Sequence, residues 1–306
     1  DLTIKKGMQQ GWFGNINAGV GTEERYNMRG MLNRFNEKMQ GNVLGQRNNT
    51  GNNGNATNSQ VGGRLVFDVD NFEFGGNIRF NANKNTSSSR SSSQNFISSN
   101  ASFSNRANSS TSRNNSTGGD FKIEWKLDSL TTLNFRPSFS LGDSKSSSSS
   151  SSATFNDDPY QNGVTDPLNE MDLISKTIKV NENSSLNSSN GDNYNISGNL
   201  MLNRRLGGNP WFGPAPVKGS SGRNLTLRLN GTKSSNKSKN YSYSNVIYHQ
   251  RNDSTDLTYR FRNNPNENEN YSIGLSYSEP IMRNLFAQVN YSYGYNKRHT
   301  DGQTYD

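Results

Sequence analysis

The chain has 306 residues, a formal net charge of +8 and no cysteine, and only 28% of its residues are hydrophobic. With a mean hydropathy of −0.98, its composition alone favours disorder, because so little apolar surface does not offset the entropy of ordering. No run approaches the roughly 20 apolar residues of a membrane-spanning helix, and no export signal opens the sequence. We therefore expect part of a longer protein whose few apolar residues share one face.

Alternation of apolar and polar residues, the pattern of a β-strand with one apolar face, recurs along the chain. The clearest case is the hairpin FKIEWKLDSLTTLNFRPSFSL over residues 121–141, whose two alternating runs flank a polar turn at Asp128–Thr131. In chain order the alternation predicts strands at residues 1–5, 12–20, 26–32, 39–43, 61–69, 72–82, 121–127, 133–141, 194–202, 225–229 with an extension toward 246, 271–277 and 285–295.

Two kinds of connection alternate between these strands. Polar turns are short at Asn36–Glu37, Asp70–Asn71, Asp128–Thr131 and Glu279–Asn284, with residues 204–223 as the long exception. The opposite connections are predicted to be long Ser/Asn-rich loops, at residues 48–60, 83–119, 146–152 and 155–189. Short periplasmic turns and long extracellular loops are typical of outer-membrane barrels, which need only an apolar outer band.

The sequence therefore predicts an all-β protein, an antiparallel transmembrane β-barrel fragment. Its strands form a meander of about eleven or more, left as an open, curved sheet because the chain stops within the pattern. Aromatic residues near strand ends on the apolar face are placed as girdles at the lipid–water boundary would be: Trp12, Phe72, Trp125, Tyr291, Tyr293 and Tyr295. Pro137, on the apolar face of a strand, predicts a bulge or local distortion.

Three blocks carry a family resemblance: DLTIKKGMQQGWFGNINAGVGTEERYNMRGMLNRFN, EWKLDSLTTLNFRPSFS and YSIGLSYSEPIMRNLFAQVNYSYGYNK. Together they resemble the outer-membrane β-barrel proteins of Bacteroidetes, a branch of the TonB-dependent receptor superfamily. The resemblance implies that residues 1–10 end a plug domain and connect it to the barrel, and that residues 11–306 are the N-terminal part of a barrel of about 22 strands. It also implies outer-membrane lipid, the plug, the remaining strands and the TonB complex as partners, although no TonB box is visible here.

Alternation assigns candidate residues to the two faces of this barrel. The polar face, predicted to line the lumen, carries cations that would contact an anionic ligand, acidic plug residues or the acids of a hydrated wall: Arg29, Arg64, Arg79, Lys122, Lys126, Arg136 and Arg228. The apolar face, predicted to meet lipid, carries Ile123, Trp125, Phe135, Leu200, Leu227, Leu275 and Val289.

Other chemistry has weaker support in the sequence. The carboxylate pairs Glu23–Glu24 and Asp157–Asp158 lack a metal-ligand spacing or a partnering histidine, so solvated loops are expected there. His249 and His299 sit in separate polar stretches, and no catalytic, metal or cofactor motif appears. We expect a protein that is not an enzyme and has no cofactor. Its basic residues are spread over many strands, which argues against nucleic acid as a partner.

Two functional hypotheses follow from the resemblance. The first is a TonB-dependent receptor that takes up a solute across the outer membrane. The second is a non-transporting barrel that acts as a surface adhesin or as a subunit of an envelope assembly. The chain carries no motif that names a solute.

Overall fold

A computed structural model describes residues 10–51, 55–95, 102–206, 223–282 and 285–306. Within these ranges the chain is mostly strand, and its helical segments are 3-10 turns at Gln161–Gly163, Met171–Leu173 and His249–Arg251. No described helix has the length and apolar character needed to cross a membrane. The strand predicted at residues 1–5, and with it the end of the plug, lies outside the described residues.

The described strands form one sheet and lengthen markedly after the fourth. The shorter ones are β1 (Gly11–Val20), β2 (Tyr26–Phe35), β3 (Met39–Gly51) and β4 (Ala56–Val69). The longer ones are β5 (Phe72–Asn95), β6 (Ser102–Lys126), β7 (Thr131–Phe155), β8 (Lys179–Arg205), β9 (Asn224–Tyr248) and β10 (Ser254–Met282). They are followed by β11 (Leu285–Thr300) and the short β12 (Gln303–Tyr305).

The sheet is an antiparallel meander in which each strand from β1 to β11 pairs with its neighbours in sequence. The short β12 turns back and pairs with β10 beyond the end of β11. Strands β1 and β11 form the two edges and do not pair with each other, so the sheet stays open. The predicted all-β meander of about eleven strands is confirmed.

Strand pairing corrects the prediction of long Ser/Asn-rich loops. The tracts at residues 83–95, 102–119 and 146–152 continue β5, β6 and β7 in unbroken register, and β8 begins at Lys179 inside the segment predicted to be irregular. Serine and asparagine have little strand preference of their own. The hairpins nevertheless extend through them, because the backbone ladder continues and hydroxyl groups pair across it, as between Ser87 and Ser110 at 2.8 Å.

The short turns at Asn36–Glu37, Asp70–Asn71 and Asp128–Thr131 lie where the sequence predicts them, and side chains close the first and the third. The prediction of a turn at Glu279–Asn284 is wrong for residues 279–282, because β10 continues through Met282 and pairs there with β11. The Asn36 Oδ1 accepts hydrogen bonds from the backbone N–H groups of Lys38 (3.0 Å) and Met39 (2.6 Å). The Asp128 carboxylate accepts one from the backbone N–H of Leu130 at 2.7 Å and one from the Thr131 hydroxyl at 3.0 Å. These Asx-type turns bring successive strands together at one end of the sheet, called here the turn end.

At the opposite end, called here the far end, residues 156–178 form a folded tip loop rather than an open one. Its Val164 and Ile174 are buried together with Ala153 and Phe155 of β7. The only buried hydrophobic cluster of the described residues lies here. The bulk of the sheet therefore has no closed core.

Of the bulge or local distortion predicted at Pro137, the structure shows a local distortion of the ladder and no bulge. The β6–β7 ladder is interrupted between Asp120↔Ser138 and Ile123↔Phe135, but its register is the same on both sides. Pro137 still pairs with Gly198 of β8. The missing N–H therefore interrupts the ladder locally without inserting a residue.

Candidate functional site

The pairing register places the seven apolar candidates on one face of the sheet. Residues directly opposite in an antiparallel pair share a face, and successive residues alternate between faces. Phe135 pairs with both Ile123 and Leu200, and Leu227 pairs with Leu275, while Leu202 links Leu227 to β8. Trp125 and Val289 follow by alternation on β6 and β11. We call this surface the apolar face and the opposite one the polar face.

Large side chains on the apolar face are open to the surroundings. The exposed fractions reach 63% for Trp12, 90% for Ile16, 93% for Val20 and 67% for Val289. A soluble protein rarely exposes apolar surface continuously across so many strands. The apolar face therefore requires an apolar environment that the described residues do not supply.

Aromatic rings on the apolar face lie over glycines of the neighbouring strand. A Cβ on Gly76 would stand 2.5 Å from the Phe121 ring, and one on Gly119 would stand 2.7 Å from the Phe139 ring. Phe74, Phe121 and Phe139 form a row across β5, β6 and β7, with centroids 6.1 and 6.4 Å apart. Small residues here make room for rings on the same sheet, which the sequence alone does not show.

All seven basic candidates share the polar face. Gln46 pairs with Arg29, Asn77 with Arg64, and Asn199 with Arg136. Alternation along β5, β6 and β9 adds the remaining four: Arg79, Lys122, Lys126 and Arg228. The structure thus brings the predicted set onto one surface, spread over many strands rather than converging on one point.

Two of these cations are paired with acids on the same face. The Lys122 Nζ lies 2.8 Å from the Glu73 carboxylate and 3.5 Å from that of Glu124. Arg79 lies 3.9 Å from Asp120. Within the described ranges, the other five form no ion pair: Arg29, Arg64, Lys126, Arg136 and Arg228.

Amides and hydroxyls complete the polar face. Ser138 and Ser197 hydroxyls are 2.6 Å apart, and the Gln46 side-chain amide donates to Gln60 at 2.7 Å. The Asn230 amide donates to the Ser272 hydroxyl at 3.0 Å. Such a surface is hydrated and offers donors and acceptors to a polar solute, with cations set among them.

The carboxylate pairs are built into turns. Glu23 and Glu24 occupy left-handed backbone positions (φ 59° and 58°), and Glu23 pairs with Arg25 at 2.6 Å. Asp157 and Asp158 accept backbone N–H groups of Asp158 and Tyr160 at 2.8 and 2.9 Å. No group of side chains suited to a metal ion occurs in the part of the chain that the structure describes.

His249 instead joins a cluster of hydrogen-bonded side chains at the far end. Its Nε2 lies 2.6 Å from Glu182 of β8, and its Nδ1 lies 2.6 Å from Asp253. The hydrogen bond with His249, aided by the charge of nearby Lys176, lowers the pKa of the Asp253 carboxyl below its usual value. This cluster ties the β9–β10 turn to β8 and to the tip loop, and residues so far apart in sequence give no signal of it.

The sequence matches no protein-family model and no curated protein. The two faces of the sheet are therefore the features that bear on function.

Proposed function

We propose that this sheet is part of the wall of an outer-membrane β-barrel of the TonB-dependent receptor type, which takes up a solute across the outer membrane. The observation that carries the proposal is the continuous, exposed apolar face, backed on the same strands by a polar face. Lipid supplies the apolar environment that this face lacks, and the polar face borders a water-filled lumen. On this proposal the full-length protein supplies a plug and further barrel strands.

The dimensions of the apolar band support a lipid environment. Residues 133–141 of β7 span about 30 Å, which is close to the thickness of the hydrocarbon core of a bilayer. Beyond Leu141 the same strand continues through the serine tract, polar on both faces. The strand thus changes character at the distance where a membrane-spanning segment would meet the headgroups.

Uptake is favoured by the composition of the polar face. Its arginines without an ion pair among the described residues, and its ladders of amides and hydroxyls, suit weak, multiple contacts with an anionic or hydroxyl-rich solute, or with acidic residues of a plug. We expect solute accumulation by cells carrying the full-length protein to stop when the proton gradient across the inner membrane is collapsed. Accumulation that persists without the gradient would contradict TonB-dependent uptake.

An aromatic cluster near the far end favours the second hypothesis, a barrel that contacts another surface. Tyr241 and Phe261 are tilted at 30° with centroids 4.7 Å apart, and Phe261 stacks on Tyr305 at 5.9 Å. On this hypothesis, attachment to a surface would be insensitive to the proton gradient. Collapse of the proton gradient therefore separates the two functions, since it should stop solute accumulation and leave attachment unchanged.

The membrane assignment is tested by adjacent substitutions on opposite faces. Leu200→Arg places a charge on the apolar face, and Asn199→Arg places the same charge on the polar face. In refolding into lipid vesicles, we expect Leu200→Arg to lower the free energy of unfolding by about 2–4 kcal/mol near the bilayer midplane, and Asn199→Arg to lower it little. Equal costs would show that the apolar face does not meet lipid.

A further inference from the structure

Beyond the apolar band, the apolar face carries three cations in direct register. Lys84 of β5 pairs with Arg113 of β6, and Arg113 pairs with Lys145 of β7. By alternation all three lie on the same face as Phe80, Phe121 and Leu141, a few residues nearer the far end. We call Lys84, Arg113 and Lys145 the cationic row.

The cationic row has no compensating acid within it. Its continuation on either side is Thr57 on β4 and Asn190 on β8, followed by Lys239 on β9. The three side chains are exposed, and they form no ion pair with any described residue. Like charges directly opposite each other destabilise a sheet, so an external anion would relieve their repulsion.

A hollow on the same face lies between the apolar band and the cationic row, and its lining ends two residues short of the row, at Asn115 and Asp143. It has a volume of about 430 Å³ and lies between Phe80, Leu141 and Tyr194 on the apolar side and Asp143, Asp192 and Lys237 on the polar side. The part of the hollow nearer the apolar band suits the first carbons of an acyl chain. The part nearer the cationic row suits a polar headgroup. The change from apolar to charged lining occurs within one or two residues along each strand.

The nearest acids fit hydroxyl groups better than they fit the row's cations. The Asn115 amide donates to both oxygens of Asp143, at 3.2 and 3.0 Å, and Asp192 lies directly opposite Asp143 on β8. Neither carboxylate reaches a cation of the row within ion-pair distance. Carboxylates accept hydrogen bonds from hydroxyls, whereas ammonium and guanidinium groups bind phosphate.

We infer that the cationic row and this hollow form a docking site for a membrane lipid whose headgroup carries both phosphate and hydroxyl groups. Phosphate lies against Lys84, Arg113 and Lys145, hydroxyls lie near Asp143 and Asp192, and an acyl chain follows Phe80 and Leu141. The inference rests on the proposed function, since it places this edge of the apolar band among the headgroups of one leaflet.

The test uses the full chain in detergent and counts bound lipids by native mass spectrometry. The probes are phosphatidylglycerol, which carries phosphate and hydroxyls, and phosphatidylcholine, whose headgroup is neutral overall. Wild type should retain phosphatidylglycerol selectively. The triple variant Lys84→Gln/Arg113→Gln/Lys145→Gln should bind phosphatidylglycerol roughly a hundredfold more weakly, since each cation contributes to attraction by anionic lipid.

The matched control removes three polar-face cations, Arg106→Gln/Arg262→Gln/Arg298→Gln, and should keep the selectivity. Equal binding by wild type and the Lys84/Arg113/Lys145 variant would overturn the inference, as would an equal loss in the control. Competition by soluble glycerol phosphate at the same concentration as the lipid would also overturn it, because it would indicate a free-anion site.

A separate measurement distinguishes a failure of the lipid-site inference from a failure of the proposed membrane location. Phosphatidylcholine with brominated acyl chains should quench tryptophan fluorescence in wild type and in both triple variants, because Trp12 and Trp125 lie on the apolar face. Quenching without headgroup selectivity would reject the lipid site alone. Absence of quenching in all three proteins would reject the membrane assignment itself.

Discussion

At the scale of single residues, Glu170 organises the tip loop. Its carboxylate accepts the backbone N–H groups of Thr165 at 2.7 Å and Asp166 at 3.2 Å, and the Thr165 hydroxyl at 3.2 Å. These hydrogen bonds, the one from Thr165 first, lower the pKa of Glu170 below its ordinary value of 4.5. The ionised carboxylate therefore stabilises the folded loop above that value, and the stabilisation is lost as the pH falls through the lower folded pKa.

We expect hydrogen-exchange protection of the Thr165 and Asp166 amides, corrected for intrinsic exchange, to decrease as the pH falls below 4.5. Glu170→Gln should lower the protection at neutral pH and remove most of its pH dependence. The control Asp172→Asn lies in the same loop, and its exposed side chain should leave the profile unchanged. A wild-type profile that stays flat through this range would contradict the role of Glu170.

At the scale of elements, ring–glycine pairs hold the apolar face together where no core exists. Gly76→Ala would push a Cβ into the Phe121 ring, whereas a Cβ on Gly45 of the same face meets nothing within 4 Å. We expect Gly76→Ala to lower the free energy of unfolding by about 1–3 kcal/mol, and Gly45→Ala to be neutral or slightly stabilising. Urea unfolding from lipid vesicles measures both. Equal effects would show that the ring has room to move away.

The sequence predicts the strands where side chains alternate and fails where they do not. The alternation of Phe121, Ile123 and Trp125 with polar residues identifies the apolar face, and Leu133 continues it beyond the turn at Asp128. In the serine tract the side chains of both faces are alike, so no periodicity distinguishes a strand from a loop. The strand forms there because the residues near the turn end are already paired, and their register continues into the serine tract.

The candidate site residues were likewise predictable only where apolar and polar side chains alternate. Alternation alone was enough to place Arg64 and Arg136 on one face, because each lies within an apolar run. The cationic row was not predictable, since Lys84, Arg113 and Lys145 lie in tracts interpreted as loops. Only the pairing of three strands brings them side by side.

At the scale of the whole molecule, the turn end and the far end should lie on opposite sides of the membrane. The sequence predicts Ser129 on the periplasmic side and Ser148 outside. Ser148 proves to be half-buried within β7, so Ser175 of the tip loop, which is exposed, is the better site for labelling. The chain has no cysteine of its own to interfere in this region.

We expect an impermeant thiol reagent on intact cells to label Ser175→Cys in the full-length protein and to spare Ser129→Cys. Both variants should react after the cells are lysed, which controls for accessibility of the thiol. Labelling of Ser129→Cys on intact cells would reverse the orientation, and equal labelling of both would argue against a membrane-spanning sheet.

The serine tract has a consequence for how such a wall can vary in length. Apart from Arg106, Ala107 and Leu186, the partners of Ser146–Ser152 on both neighbouring strands are serine, threonine and asparagine, so neighbouring registers differ little in side-chain contacts. Losing or gaining two residues keeps every later side chain on its own face. Losing one would turn Ala153 and Phe155 away from the core of the tip loop. Variants of this sheet should therefore differ in strand length by even numbers of residues.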